Sequence, residues 1–373
     1  MRRLPVYIYQ YPEWPAFQYN LAELYPYTLR VRELQGKLSG KMEALGFQMQ
    51  NEAYLKSLST EVLKNSEIEG NRFDMDEVRS SVARNLGMEV PGLVYSSREV
   101  DGAVEMLLDA MRNSQKDLSK DRLFRWHSAL FPHGRSGMFD ILTGQWRDDS
   151  TGPMQVVSGA LGKEKVHFEA PPAKHVEEEM SRFLNWYNQE NEADLNIKAG
   201  LAHLWFLTLH PFEDGNGRIA RALTDLLLAR LEPGKQKFYS ISAEIMKRRK
   251  SYFQTLQSTQ QGGLEVNQWL KWFLECLEGT LQSSDQLVGR AMDKHRFWLK
   301  HKDTQLNQRQ VKVINLLLGD FEGNLSNAKW ARLNKCSSDT ALRDINDLLE
   351  KEVLQRNEGG GRSTSYSLVL PDN

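Results

Sequence analysis

Cysteine is nearly absent from this chain. Its 373 residues hold only Cys276 and Cys336, far apart and without neighbouring metal-ligand spacing. That excludes a disulfide framework and a zinc site, and fits a reducing, cytoplasmic compartment. Net charge is absent too, at −1 overall, so the chain as a whole has no electrostatic bias toward nucleic acid or membrane. No stretch approaches the ~20 apolar residues that span a bilayer. The basic start, Met1 to Gln10, turns aromatic and polar within a few residues, so neither membrane insertion nor secretion is expected. Internal repeats and low-complexity tracts are missing. What remains is ordinary globular composition at a length that calls for two or three domains.

The chemistry is concentrated in one short stretch, His210-Pro211-Phe212-Glu213-Asp214-Gly215-Asn216-Gly217-Arg218-Ile219-Ala220-Arg221. Upstream, Ala202, Trp205, Phe206 and Leu209 recur at the spacing of one buried helix face, which puts His210 at a helix end. Pro211 cannot continue the ladder, and Gly215 and Gly217 permit a tight turn and close backbone approach. A second helix is expected from about Asn216, with Ile219, Leu223, Leu226 and Leu227 on its apolar face. The unpaired N–H groups of its first turn would form an anion-binding end. Arg218 and Arg221 lie three apart, suited to bidentate contacts with phosphate oxygens. Asp214 supplies a hard oxygen of the kind magnesium takes beside substrate phosphates. His210 is a base matched to neutral pH. Any three of these residues read equally as a capped surface loop with solvated arginines; the full set describes transfer of a phosphorus group to an alcohol.

The stretch resembles the core motif of the Fic family, His-Pro-Phe-x-Asp/Glu-Gly-Asn-Gly-Arg-x-x-Arg, at every fixed position. The resemblance implies an enzyme that moves AMP from ATP to a Ser, Thr or Tyr hydroxyl of a protein and releases pyrophosphate. It makes His210 the base and Asp214 the Mg2+ ligand. Gly215, Asn216 and Gly217 become the anion hole for the α-phosphate, with Arg218 and Arg221 holding the β- and γ-phosphates. Far upstream, Asn65-Ser66-Glu67-Ile68-Glu69-Gly70 resembles the family's inhibitory helix, Ser/Thr-x-x-x-Glu-Gly/Asn. Its Glu69 would pair with Arg221 and keep the γ-phosphate from seating. The departure is at the first position, where Asn65, with a different reach, stands in place of a hydroxyl and weakens the expected docking. Without the family pattern, Glu69 would read as an exposed helix acid.

Residues 154–158 and 165–168 read as two strands of a hairpin. The resemblance makes this hairpin, about residues 154–168, a flap on which the target protein lies as an added strand. Tyr252 is the candidate for contact with adenine or ribose; the alternative is an aromatic on a buried helix face, with Phe253 beside it. The expected organisation is mainly α: residues 1–98 an accessory region carrying the inhibitory helix, 99–293 the catalytic core, and 294–373 a winged helix-turn-helix. The accessory block, with Tyr11-Pro12-Glu13-Trp14-Pro15, resembles a domain of unassigned role that precedes the Fic core in some bacterial members. In the last region three helices precede two strands flanking Gly359-Gly360-Gly361. Such a module would set its third helix in a DNA major groove. Asp344, Asp347 and Glu350 on that helix, against Arg343 and Lys351, make a poor phosphate footprint. A homodimer is common among relatives. Two other readings stay open: a DNA-binding regulator that uses the core to sense nucleotide, and an enzyme that removes AMP with Glu69 positioning water.

Overall fold

The computed structural model describes residues 7–150, 152–159, 165–189, 194–232, 236–319, 321, 323–357 and 364–370. The architecture is mainly α, as the sequence predicts. Two compact units are present, Met1–Ser284 and Asp285–Asn373, so the accessory and core segments share the first unit.

The first unit opens with α1 (Leu21–Glu43), which contains Pro26. The Asn20 side chain caps it by accepting from Ala22 N, and Leu24, Thr28, Val31, Leu38 and Met42 keep one buried stripe through the proline. The lost backbone bond is offset by packing and cap. Next come α2 (Phe47–Ile68) and α3 (Met75–Leu86), then α4 (Arg98–Arg112) and α5 (Lys120–Leu130), capped by Ser97 and Ser119. At Gly102 the α4 backbone lies against α5 so closely that an added Cβ would meet the Ala129 carbonyl oxygen at 1.8 Å. Gly102→Ala is therefore expected to destabilise the fold by about 1–3 kcal/mol, because a helix must shift. A thermal midpoint equal to wild type would contradict this packing.

Two short ribbons follow. Strands β1 (Arg135–Ser136) and β2 (Phe139–Asp140) pair antiparallel, as do β3 (Gln155–Ser158) and β4 (Lys165–Glu169), in the register Gln155↔Glu169 to Ser158↔Lys165 with an irregularity after Val156. The tip of the second hairpin, residues 160–164, lies outside the described residues. Phe168 is buried while Val157 and Val166 face outward at 47% and 43% exposure.

Helices α6 (Val176–Asn188), α7 (Leu195–Leu209) and α8 (Asn216–Ala229) form the centre. Every α7 residue from Asn196 to Leu209 is buried, as expected of a helix apolar on all sides. Then α9 (Ile241–Lys247), α10 (Arg249–Gln260) and α11 (Asn267–Lys300) complete the chain's larger unit, which ends within α11. Helix α2 is fastened at several points. Glu61, 1% exposed, accepts from Ser240 Oγ at 2.7 Å, from Ser242 N at 3.2 Å and from Ser242 Oγ. At its C-terminus Arg249 Nε donates to the Ile68 carbonyl at 3.0 Å.

The second unit packs α12 (Gln308–Leu317), α13 (Asn327–Asn334) and α14 (Ser338–Glu350) with an antiparallel ribbon, β5 (Leu354–Arg356) and β6 (Tyr366–Leu368), around Val313, Trp330, Ile345 and Leu348. The Gly359–Gly361 turn lies outside the described residues. Asp344, counted above with the surface acids that make a poor phosphate footprint, instead turns inward. It is 5% exposed and accepts from Arg309 Nε at 2.7 Å and Asn307 Nδ2 at 2.9 Å. Asp347 accepts from Gln310 and Lys351. The exposed face of α14 carries Asp339, Leu342, Arg343, Asn346 and Glu350, which mixes the two signs.

Candidate active site

The site is built on the turn from α7 into α8. Helix α7 stops because His210 adopts left-handed backbone (φ 48°) and Pro211 follows. Gly215, at φ 80°, is the N-cap of α8 and supplies a backbone angle that a side chain resists. Asn216, the first residue of α8, closes the loop: its Oδ1 accepts from Phe212 N at 3.0 Å and its Nδ2 donates to Phe212 O at 2.7 Å. The Asn216 side chain thus holds the loop closed, while its backbone N–H lies in the first turn of α8. Phe212 is fully buried and stacks on His127.

Two further side chains lie beneath the turn, for which the sequence alone gives no role. Arg147, its side chain fully buried, donates from Nε to His210 O at 2.7 Å and from Nη2 to Pro171 O at 2.5 Å, while its backbone N–H donates to Pro211 O. It holds both residues of the turn from below. His127 contacts Asp214 O at 3.1 Å through Nε2 and accepts from Gly144 N through Nδ1. Burial, above all, lowers its pKa to about 4, so it is a neutral spacer. A lone arginine or histidine in sequence carries no mark of such burial.

His210 is partly exposed, and its Nδ1 lies 3.3 Å from the Leu207 carbonyl. That contact places the ring proton on Nδ1 and leaves Nε2 as the basic nitrogen. Its pKa falls to about 4, first through desolvation and further through the Arg147 charge, against the opposing pull of the Leu207 carbonyl, Glu69 and Asp214. The imidazole is neutral at physiological pH.

Asp214 receives Ser136 Oγ and Gly215 N and sits 3.9 Å from Arg218 Nη2, with its side chain 41% exposed. Among the described residues no group of three His, Cys, Asp or Glu side chains forms a metal cage. One accessible carboxylate beside arginines fits a magnesium ion that draws its other ligands from nucleotide phosphates and water.

Arg218 is 4% exposed, with its guanidinium 4.7 Å above the Phe131 ring. Arg221 is fully buried. Its Nε donates to Asn65 Oδ1 at 2.6 Å, and its Nη2 donates to Asn65 O at 2.9 Å and to Glu69 Oε1 at 2.7 Å. Arg218 Nε and Arg221 Nη1 are buried without a hydrogen-bond partner. The Glu69 carboxylate rests on the first turn of α8, where a Cβ added to Gly217 would stand 2.0 Å from Oε1. The departure at Asn65 therefore does not loosen α2, because the amide reaches Arg221 directly.

Tyr252 requires a correction. It is 1% exposed, its hydroxyl 2.8 Å from His203 Nε2 and its ring packed by Trp269 and Trp272, so it does not present itself to a nucleotide. The buried-face alternative is the one observed. Phe253, 37% exposed, is the aromatic of the pair that meets solvent. The hairpin is tied to α10, with His167 Nδ1 3.1 Å from Gln257 Oε1 and Gln261 Nε2 donating to His167 O.

Residues 117–228, which include the whole His210–Arg221 turn, match the Fic/DOC family. Those residues form a Fic domain. Ahead of the Fic domain, residues 7–88 match a domain of unknown function, DUF4172. The chain is 32% identical over 104 residues to the protein adenylyltransferases Fic of Drosophila virilis and Drosophila melanogaster. That match covers 27% of this chain and 20% of each relative, so the chain spans about a fifth of their length. Among solved structures, a Fic family protein from Desulfovibrio desulfuricans superposes with a TM-score of 0.51 at 21% identity, over 92% of this chain and 96% of that one. A Fic domain containing signaling protein from Bacteroides thetaiotaomicron gives 0.52 at 19%, over 70% and 97%. These two bear on the fold.

Proposed function

We propose that this chain transfers AMP from ATP to a Ser, Thr or Tyr hydroxyl of a protein, releasing pyrophosphate, and rests with Glu69 across its phosphate site. The observation that carries this reading is the carboxylate itself. An anionic group already sits on the N-terminal turn of α8, paired with Arg221 at 2.7 Å and close against Gly217. A helix N-terminus with two desolvated guanidiniums is a phosphate cradle, and Glu69 occupies it as a phosphate oxygen would.

With Glu69 displaced, the backbone N–H groups of Asn216 and Gly217 face the α-phosphate, the Gly215 N–H being held by Asp214 Oδ1, and Arg218 and Arg221 hold the phosphates beyond it. His210 Nε2 takes the proton of the target hydroxyl as its oxygen bonds to the α-phosphorus and the bond to pyrophosphate breaks. Asp214 would hold the magnesium ion, which when bound neutralises phosphate charge. The outward edge of β3 and β4 is where an extended target segment would add as a strand.

ATP labelled at the α-phosphorus should leave its label on protein, whereas label at the γ-phosphorus should appear only in pyrophosphate. Retention of γ-label on protein would make the chain a kinase and sink the proposal. The pH dependence follows from His210. A base must be neutral to act, and the depressed pKa of about 4 keeps it so across the neutral range. The value of kcat/KM, which reports the free enzyme, should stay flat on its acid side down to about pH 5. An acid limb centred on the ordinary histidine value of 6.5 would contradict the desolvated site.

A further inference from the structure

We propose that Asn65 is a positioning residue that holds Arg221 ready for nucleotide, so that the restraint is lifted by movement of the Glu69 side chain while α2 stays docked. The inference rests on the reading of Arg221 as a phosphate ligand.

Helix α2 touches the Arg221 guanidinium with two residues of different kind. Asn65 takes Nε through Oδ1 at 2.6 Å and Nη2 through its backbone carbonyl at 2.9 Å; Glu69 shares that Nη2 at 2.7 Å. The Asn65 amide has only one workable orientation, because its Nδ2 donates to Arg218 O at 3.3 Å while its Oδ1 faces Arg221. A flipped amide would set N–H against N–H on one side and oxygen against oxygen on the other. Asn65 is 4% exposed and Arg221 fully buried, so this is a water-poor contact.

The two partners differ in charge. Asn65 satisfies donors and fixes the guanidinium plane without cancelling its positive charge, whereas Glu69 cancels it. With Glu69 withdrawn, Arg221 keeps its place and orientation through Asn65, and presents the released side of Nη2. The anchors of α2 at Glu61 and at the Ile68 carbonyl do not involve Glu69, so the helix has no reason to leave with it. Helix α2 is thereby part of the phosphate site as well as its restraint.

The test measures binding of magnesium-ATP and magnesium-ADP by calorimetry, and AMP transfer, in Glu69→Gly, Asn65→Ala/Glu69→Gly and Asn65→Asp/Glu69→Gly, with thermal midpoints as the folding control. Relative to Glu69→Gly, the Asn65→Ala double variant should bind ATP about tenfold or more weakly, the equivalent of one charge-assisted contact. It should also lose its preference for ATP over ADP, since Arg221 no longer holds its place for the terminal phosphate. Asn65→Asp keeps the acceptor but neutralises the guanidinium, and should weaken ATP likewise. Equal ATP affinity and equal ATP preference in Glu69→Gly and the folded alanine double variant would overturn the proposal. If the alanine variant does not fold, unchanged ATP affinity in Asn65→Asp/Glu69→Gly overturns it instead. Asn65-dependent ATP binding without AMP transfer would uphold the role of Asn65 and refute the transferase reading.

Discussion

Glu69→Gly is expected to raise AMP transfer onto protein by on the order of tenfold to a hundredfold, the weight of one charge-assisted hydrogen bond of about 1.5–3 kcal/mol removed from the competition for Arg221. Nothing else in the site need change. Glu69 is the C-cap of α2, outside the regular helix, with Gly70 after it at φ 90°, so glycine at 69 costs the helix little. Arg221 is not stranded, because both Asn65 contacts remain. The measurement is initial velocity at saturating ATP with a cell lysate as acceptor, and the thermal midpoint should barely move. A midpoint drop with no gain in rate would mean that the Glu69 pair serves stability and not restraint.

The opposite extreme is His210→Ala, expected to lower transfer by about 10²–10⁴ while leaving ATP affinity within about threefold. On the proposed mechanism the base acts on the proton lost in the transition state, and the phosphate contacts come from α8. The turn itself should survive the substitution. It is closed by Asn216 on Phe212 and propped by Arg147 on the His210 backbone carbonyl, and neither uses the imidazole. The exception is the left-handed backbone at position 210, φ 48°, which alanine tolerates less well than asparagine. His210→Asn is therefore the cleaner companion, and both variants should lose transfer alike.

The local part of this site was legible because its parts are close in sequence. A helix face ending at Leu209, a proline, two glycines and an arginine pair at helical spacing define a turn whose geometry follows from backbone sterics alone. The Asn65–Arg221 contact was not legible, since it joins residues 156 positions apart and turns on the reach of one amide. Tyr252 failed for a related reason. Its helix has aromatics at adjacent positions, and only the packing of Trp269 and Trp272 decides that Tyr252 goes in and Phe253 out. Asp344 misled in the same way: it faces Arg309, because a paired charge can be buried and the partner is set by tertiary structure.

Incorporation of label from ATP carrying it at the α-phosphorus, with magnesium and a lysate, compared across wild type, Glu69→Gly and Glu69→Gly/His210→Ala, tests the central claim that one carboxylate and one phosphate compete for Arg221. Weak labelling by wild type, strong labelling by the single variant and none by the double is the expected result. Labelling by Glu69→Gly no stronger than by wild type, with ATP bound equally by both, would contradict it.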